Sequence, residues 1–350
     1  MLGLLAVTLP FFALVLAGFL AARRGVLPLE AVPGLNAFVL FFALPCMLYR
    51  FGSQMPVASL FDPQLFGLYL LCALVILGFT LAATLSPRLG LKDAAFGALV
   101  AAFPNSGFMG VPLITSLMTT QAAGPVINTL LVDLFITSSL ALALAQARHT
   151  PAPETAGSGF VDSGDTPSAA DTGGAGAALL RSLRAALGNP MPWSIALGGL
   201  ASYLQFRLPG PVEKLVWMLA DAASPVALFT IGAVLWRAQV AAEREDRAHH
   251  EAAGTGTLLA RALPTALIKL LLHPLLVLVL GLAARHLGLP LSRFELTVLV
   301  LVAALPSASN VSLLTERYRA DTGRVARIIL VSTSLAFITF TTIAWLFGVR

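Results

Sequence analysis

Two short segments, one in each half of the chain, carry polar chemistry inside apolar surroundings: AAFPNSGFMGVP (Ala101–Pro112) and AALPSASNVS (Ala303–Ser312). In each, a proline follows a long apolar run and an asparagine follows the proline within four residues. Pro104 and Pro306 have no N–H and collide with the carbonyl four residues back, so neither run can continue as one α-helix. The Asn105 amide offers a donor and an acceptor. Ser106 and Gly107 follow it, and Gly110 and Pro112 complete a segment whose backbone can open and approach a ligand closely. The N–H groups around Gly107–Val111 begin a new half-helix, whose positive pole suits an anion. Ser307, Ser309, Asn310 and Ser312 place four small polar side chains on the second segment. This is the chemistry of a binding site for a small anion. The structural alternative is a kinked helix whose polar groups bond to neighbouring helices.

Three ionisable residues add a second possibility. Asp133 lies in INTLLVDLFITSSL, and Lys269 and His273 lie one helical turn apart in another apolar run. Ionisable groups at membrane depth are costly and often mark ion or proton pathways. The alternative for Lys269 and Asp133 is a structural pairing.

Elements that could hold such groups follow from hydropathy. Apolar residues make up 57%, charged residues 11%, and the mean hydropathy is +0.86. Soluble proteins run near 45–50% and about 25%, so this is a polytopic, all-α membrane protein. Apolar runs of spanning length are expected at Leu2–Ala22, Val32–Tyr49, Gln64–Leu85, Ala94–Met118, Pro125–Ala147, Pro192–Phe206, Val212–Trp236, Leu258–His286, Glu295–Leu314 and Val325–Val349. The fourth and ninth are the broken ones. The stretch His149–Ala178 is built from Pro, Gly, Ser, Thr and Ala with scattered acids and reads as a flexible tether. It divides the chain into a five-span repeat (1–147), a linker (148–188) and a second five-span repeat (189–350). Pro45 and Pro225 occupy the interiors of the second and seventh spans. Five being odd, the second repeat enters the membrane upside down.

Loop charge supports that count. Of the 22 Lys and Arg residues, Lys269 is within a span, and Arg50, Arg207, Lys214, Arg285, Arg293 and Arg350 share one side. All others, from Arg23 and Arg24 to Arg324 and Arg327, fall on the opposite side with the tether. Cytoplasmic loops carry the excess of Lys and Arg, which places both termini outside a bacterial inner membrane and the tether in the cytoplasm. The net charge of +5 is thereby accounted for without nucleic acid. Cys46 and Cys72 have no metal-type spacing, no cofactor is implied, and no hydrolytic constellation or phosphate-binding loop occurs.

The chain resembles the auxin efflux carrier family, and within it bacterial malonate or organic-acid transporters. The segments that carry the likeness are GFLAARRGVLP (Gly18–Pro28), NAFVLFFALPCMLYRF (Asn36–Phe51), PNSGFMGVPL (Pro104–Leu113), SPVALFTIGAVL (Ser224–Leu235) and ALPSASNVSLLTERY (Ala304–Tyr318). The resemblance implies a ten-helix inverted-repeat carrier with two crossed, broken helices and small organic anions as substrates. The family's crossover prolines and asparagine fall on Pro104, Asn105 and Pro306. Here Ser307, not asparagine, follows the second proline, and the amide comes later at Asn310.

The expected function is secondary transport of a small carboxylate across the bilayer by alternating access about the two breaks. A sodium-coupled organic-anion symporter is the alternative within transport; an intramembrane enzyme or a receptor lacks the catalytic pair or signalling domain it would need. Proton coupling through Asp133, Lys269 and His273, sodium coupling and uniport all stay compatible with these residues, as does a homodimer.

Overall fold

The protein is described by a computed structural model covering residues 2–86, 89–146, 187–248 and 255–349. The expected tether, His149–Ala178, lies outside the described residues. Among the described residues the regular elements are all helical; the remaining pairings are the isolated bridges Ser86–Leu89 and Pro104–Ser307.

The chain opens with α1 (Leu2–Arg23), followed by α2 (Val32–Phe38) and α3 (Leu44–Gln54), which are joined by a π-turn at Val39–Ala43. The short α4 (Val57–Leu60) leads to α5 (Pro63–Thr84). Next come α6 (Leu91–Ala102), a π-turn at Ser106–Gly110 and α7 (Val111–Leu117). Then α8 (Ala123–Val132) passes through a π-turn at Asp133–Thr137 into α9 (Ser138–Gln146). The second half has α10 (Pro190–Tyr203), α11 (Gly210–Ala248), and α12 (Thr255–Leu267) joined through a π-turn at Ile268–Leu272 to α13 (His273–His286). It ends with α14 (Arg293–Ala303), α15 (Val311–Arg317) and α16 (Thr322–Leu346).

Among the described residues, seven helical segments are long and apolar enough to cross a membrane: Gly3–Arg23, Leu29–Gln54, Pro63–Thr84, Thr120–Gln146, Gly210–Ala241, Arg261–His286 and Thr322–Leu346. The protein is a multi-pass, helical membrane protein. The other three expected spans are shorter pieces. α10 has 14 residues, and the helices that precede Pro104 and Pro306 stop at Ala102 and Ala303. At 1.5 Å per residue, none of these pieces alone reaches across a hydrocarbon core of about 30 Å.

Capping locates several helix starts. Asp62 accepts from Gln64 and Leu65 at α5, Asn189 from Met191 at α10, and Asp321 from Arg324 at α16, while Ser292 and Glu295 form a capping box on α14. Three of the four π-turns have a shared cause. Pro45, Pro112 and Pro274 each lie two residues beyond a π-turn, and the carbonyl each cannot reach (Phe41, Phe108 and Leu270) belongs to that turn's central residue. Widening the turn re-satisfies the backbone that proline frees. The fourth, at Asp133–Thr137, has no such proline. Pro225 lies inside α11, which continues through it without a break.

The helices pack in two groups. One is a panel of α1, α2–α3, α10 and α11; the other is a bundle of α5, α6, α8–α9, α12–α13, α14 and α16. In the panel, α1 and α11 cross at two glycines. A Cβ on Gly18 would lie 1.9 Å from Phe229 O, and one on Gly232 would lie 1.8 Å from Val15 O. Helices in lipid associate by such close approach of small residues. Gly232→Ala must therefore push two backbones apart, and it is expected to cost about 3 kcal/mol or more. The expected readout is loss of the monodisperse peak in size-exclusion chromatography, whereas Gly78→Ala, which meets nothing within 4 Å, should elute as wild type.

Candidate functional site

Pro104 and Pro306, about two hundred residues apart, bring their segments together. The Asn105 N–H donates to Pro306 O at 2.9 Å, and the Ala308 N–H donates to Phe103 O at 3.0 Å. This is a one-bridge antiparallel pairing between Pro104 and Ser307. It exists because both prolines stop their helices and leave extended backbone whose polar groups have no helical partner. In a buried apolar setting those groups must pair somewhere, and here each segment supplies what the other lacks. Two further bonds lock the pair: Ser307 Oγ donates to Val100 O at 2.7 Å, and the Ser307 N–H donates to Ser332 Oγ at 3.3 Å. Ser332 of α16 is thus part of the crossing.

Side chains left over from this pairing define the candidate site. Asn105 is 3% exposed, and its amide makes no hydrogen bond to a described residue although its backbone is fully engaged. Ser106 Oγ is buried without a partner. The Asn105 carbonyl accepts from both Met109 and Gly110, which winds Ser106–Gly110 as a π-turn. Gly107 and Phe108 fall in this first turn, where N–H groups have no carbonyl of their own helix to donate to. α11 packs against the turn and carries Thr230, whose hydroxyl is also buried and unpartnered. Buried polar groups without partners are uncommon and call for an explanation; a bound anion at the half-helix start would supply one.

The second segment contributes less evenly. Ser309 is buried and Asn310 half-buried, and neither side chain hydrogen-bonds to a described residue. The first N–H groups of α15 are already taken, because Val311 and Ser312 donate to Ala308 and Ser309, and Ser312 Oγ donates to Ser309 O. The Ser307 hydroxyl is likewise committed to Val100. The two breaks therefore differ: the first presents open donors, while the second is tied down.

Asp133, Lys269 and His273 come together in the bundle, each fully buried. Tyr69 OH donates to Asp133 Oδ2 at 3.2 Å, and the Tyr69 and His273 rings lie 5.9 Å apart. Lys269 Nζ lies 3.2 Å from His273 Nδ1 and donates to Ala303 O at 2.7 Å. That carbonyl ends α14, just before the second break. A cation at a helix C-terminus complements the negative pole. Asp133 and Lys269 face the same cluster without a direct hydrogen bond: Asp133 accepts from Tyr69 OH, and Lys269 donates to Ala303 O. Asp133 Oδ1 and His273 Nε2 are buried without hydrogen bonds. Tyr69 was missed in the sequence because a single tyrosine in GLYLLCALV looks like core; only its contact with Asp133 singles it out.

Other groups lie apart. Asp221 pairs with Arg50 at 2.6 Å on the exterior. Arg324 donates to Asp93 O and Lys92 donates to Arg319 O, joining the start of α6 to the first turn of α16 and the turn before it. Among the described residues no group of three or more His, Cys, Asp or Glu could hold a metal. A cavity of about 590 Å³ lies between α4, α8 and α10, walled by apolar residues such as Phe61, Phe135, Trp193 and Tyr203; no residue of the two crossing segments lines it.

Residues 5–345 match the family described as "Membrane transport protein". The chain belongs to the auxin efflux carrier family. It is also 29% identical over 342 residues to a Rhizobium meliloti (strain 1021) protein called "Putative malonate transporter", covering 97% of this chain and 94% of that one. As an auxin efflux carrier family member, the chain is a membrane transporter rather than an enzyme.

Proposed function

We propose that this chain is a secondary carrier of small organic anions, with malonate-like carboxylates as substrates, and that it works by alternating access about the crossed segments at Pro104 and Pro306. The observation that carries the reading is the backbone pairing of Asn105 with Pro306 and of Ala308 with Phe103, which leaves the Asn105 amide, Ser106 Oγ and the first turn at Gly107 open. Half-helix starts of this kind hold anionic substrate groups in carriers built from discontinuous helices.

In this reading α6–α7 and α14–α15 are each one broken span, α10 is a short one, and the chain has ten spans in two inverted repeats of five, 1–147 and 189–350. Helix pairings support it. α1 with α11 corresponds to α10 with α3, and α5 with α6 to α13 with α14. Likewise α6 with α9 corresponds to α14 with α16, and α8 with α14 to α16 with α6. The correspondence fails at one place. α16 packs on α1 and α11, whereas its counterpart α8–α9 is separated from α10 by the 590 Å³ cavity. Two repeats of similar fold in unequal arrangements are what one state of an alternating-access cycle requires. Proton coupling falls to Asp133, with Tyr69, His273 and Lys269 around it.

The test is a thermal-shift series on purified protein with malonate, other short dicarboxylates and acetate. A binder at a hundredfold excess over its Kd should stabilise the protein by about 2.7 kcal/mol. Malonate-class anions are expected to raise Tm and acetate to do so less; no response to any carboxylate would overturn the substrate assignment.

Orientation follows from the loop charges: both termini outside, with 149–178 cytoplasmic. After replacing Cys46 and Cys72, single cysteines at Gly25 and within 149–178 are expected to react only with membrane-permeant maleimides in intact cells. Labelling of the 149–178 site by an impermeant reagent would contradict the ten-span arrangement.

A further inference from the structure

In carriers with discontinuous helices, the carbonyls at a half-helix C-terminus are where a mobile coupling cation such as Na⁺ is held. Here the end of α14 is already occupied by a side chain: Lys269 Nζ donates to Ala303 O at 2.7 Å, fully buried. The lysine arrives from the π-turn at Ile268–Leu272, and Pro274 two residues beyond that turn widens the helix at this point. Around it stand the other groups a cation site would use. Asp133 supplies a fully buried carboxyl group, and Thr137, one turn further on, a fully buried hydroxyl beside it. His273 Nδ1 lies 3.2 Å from the ammonium. The buried ionisable groups here are one carboxyl, one amine and one imidazole beside a negative helix pole, and the amine is the one that reaches that pole.

We propose that Lys269 is a tethered substitute for a coupling cation: its ammonium takes the place that Na⁺ would take at the second break, and the wild-type carrier accordingly functions without Na⁺. The proposal rests on the crossed segments being the transport site, but its test needs no substrate. Removing the ammonium leaves the Asp133 carboxylate and the Ala303 carbonyl buried without a positive partner, an arrangement that draws in a small free cation.

The experiment compares Tm in NaCl, ethylammonium chloride and choline chloride at equal ionic strength, choline being too large to enter. Wild type is expected to melt at the same temperature in all three. Lys269→Gln retains a donor for Ala303 O but loses the charge; it is expected to melt lower in choline and to gain about 3 °C from saturating Na⁺ or ethylammonium. Lys269→Ala should respond more strongly, because it also vacates the space. Lys269→Gln/Asp133→Asn removes both charges and should be recovered as folded protein indifferent to the cation. A wild-type protein that needs Na⁺ would overturn the proposal, as would a folded Lys269→Gln that ignores every small cation. If Lys269→Gln cannot be isolated, the double variant decides: its recovery supports the charge argument, and its failure shows that Lys269 acts by packing alone. A wild type without carboxylate binding but with these cation responses would sink the substrate assignment and leave this inference standing.

Discussion

With a malonate-class carboxylate as the proposed substrate, Asn105→Ala is expected to weaken its binding by roughly 5- to 150-fold while leaving the protein folded. The magnitude is that of one hydrogen bond to a charged group lost from a desolvated site, about 1–3 kcal/mol. The structure separates this loss from a folding defect. The contribution of Asn105 to the crossing is its backbone N–H, bonded to Pro306 O, which alanine retains; its side-chain amide bonds to no described residue. Ser307→Ala is the informative contrast, because it deletes the donor to Val100 O that ties the segments together. It should lower Tm by an amount reflecting about 1 kcal/mol, with affinity changed less. Isothermal titration with malonate beside thermal melts of both variants makes the check. Asn105→Ala binding as tightly as wild type would remove the site from the first break. Asn310→Ala is expected to lose binding less sharply, since the start of its helix is already satisfied by Ala308 and Ser309.

Asp133→Asn is expected to abolish accumulation driven by a pH gradient while exchange of internal for external substrate continues. A gradient of one pH unit supports about tenfold accumulation for each proton coupled, so in proteoliposomes the variant should fall from that ratio to about unity. The substitution is nearly isosteric and leaves an oxygen to accept from Tyr69 OH, whose bond to Asp133 Oδ2 is 3.2 Å. It also leaves Lys269 held by Ala303 O and His273. What disappears is the only buried carboxylate of the cluster. Equal loss of accumulation and exchange would show that Asp133 holds the bundle together or binds substrate instead of carrying the proton.

The class of protein, the longer apolar runs and the helix ends before Pro104 and Pro306 were legible in the amino-acid order. A run of apolar residues long enough to span announces itself without neighbours. A proline removes its own donor and its own i−4 bond wherever it stands, yet Pro10, Pro225 and Pro264 lie inside continuous helices; what set Pro104 and Pro306 apart in the sequence was the run of small polar residues that follows each. Lys269 and His273 were placed on one face by helical spacing. Family membership rests on segments spread over nearly the whole chain, and the match over residues 5–345 agrees.

Contacts between helices were decided by the tertiary structure. Nothing near Pro104 specifies that its partner strand is Ser307, and nothing near Lys269 specifies Ala303; each pair is set by how helix faces distant in sequence pack. The same holds for Tyr69, ordinary in its own helix until α5 lies against α8 and sets its hydroxyl on Asp133, and for Ser332, whose hydroxyl becomes a bond acceptor only once α16 reaches the second break. Ser307 and Asn105 looked equivalent as small polar residues after a proline. Folding spends the hydroxyl of one on a backbone carbonyl and leaves the amide of the other open, because buried backbone groups freed by the two prolines must be satisfied first and only what remains can serve a ligand.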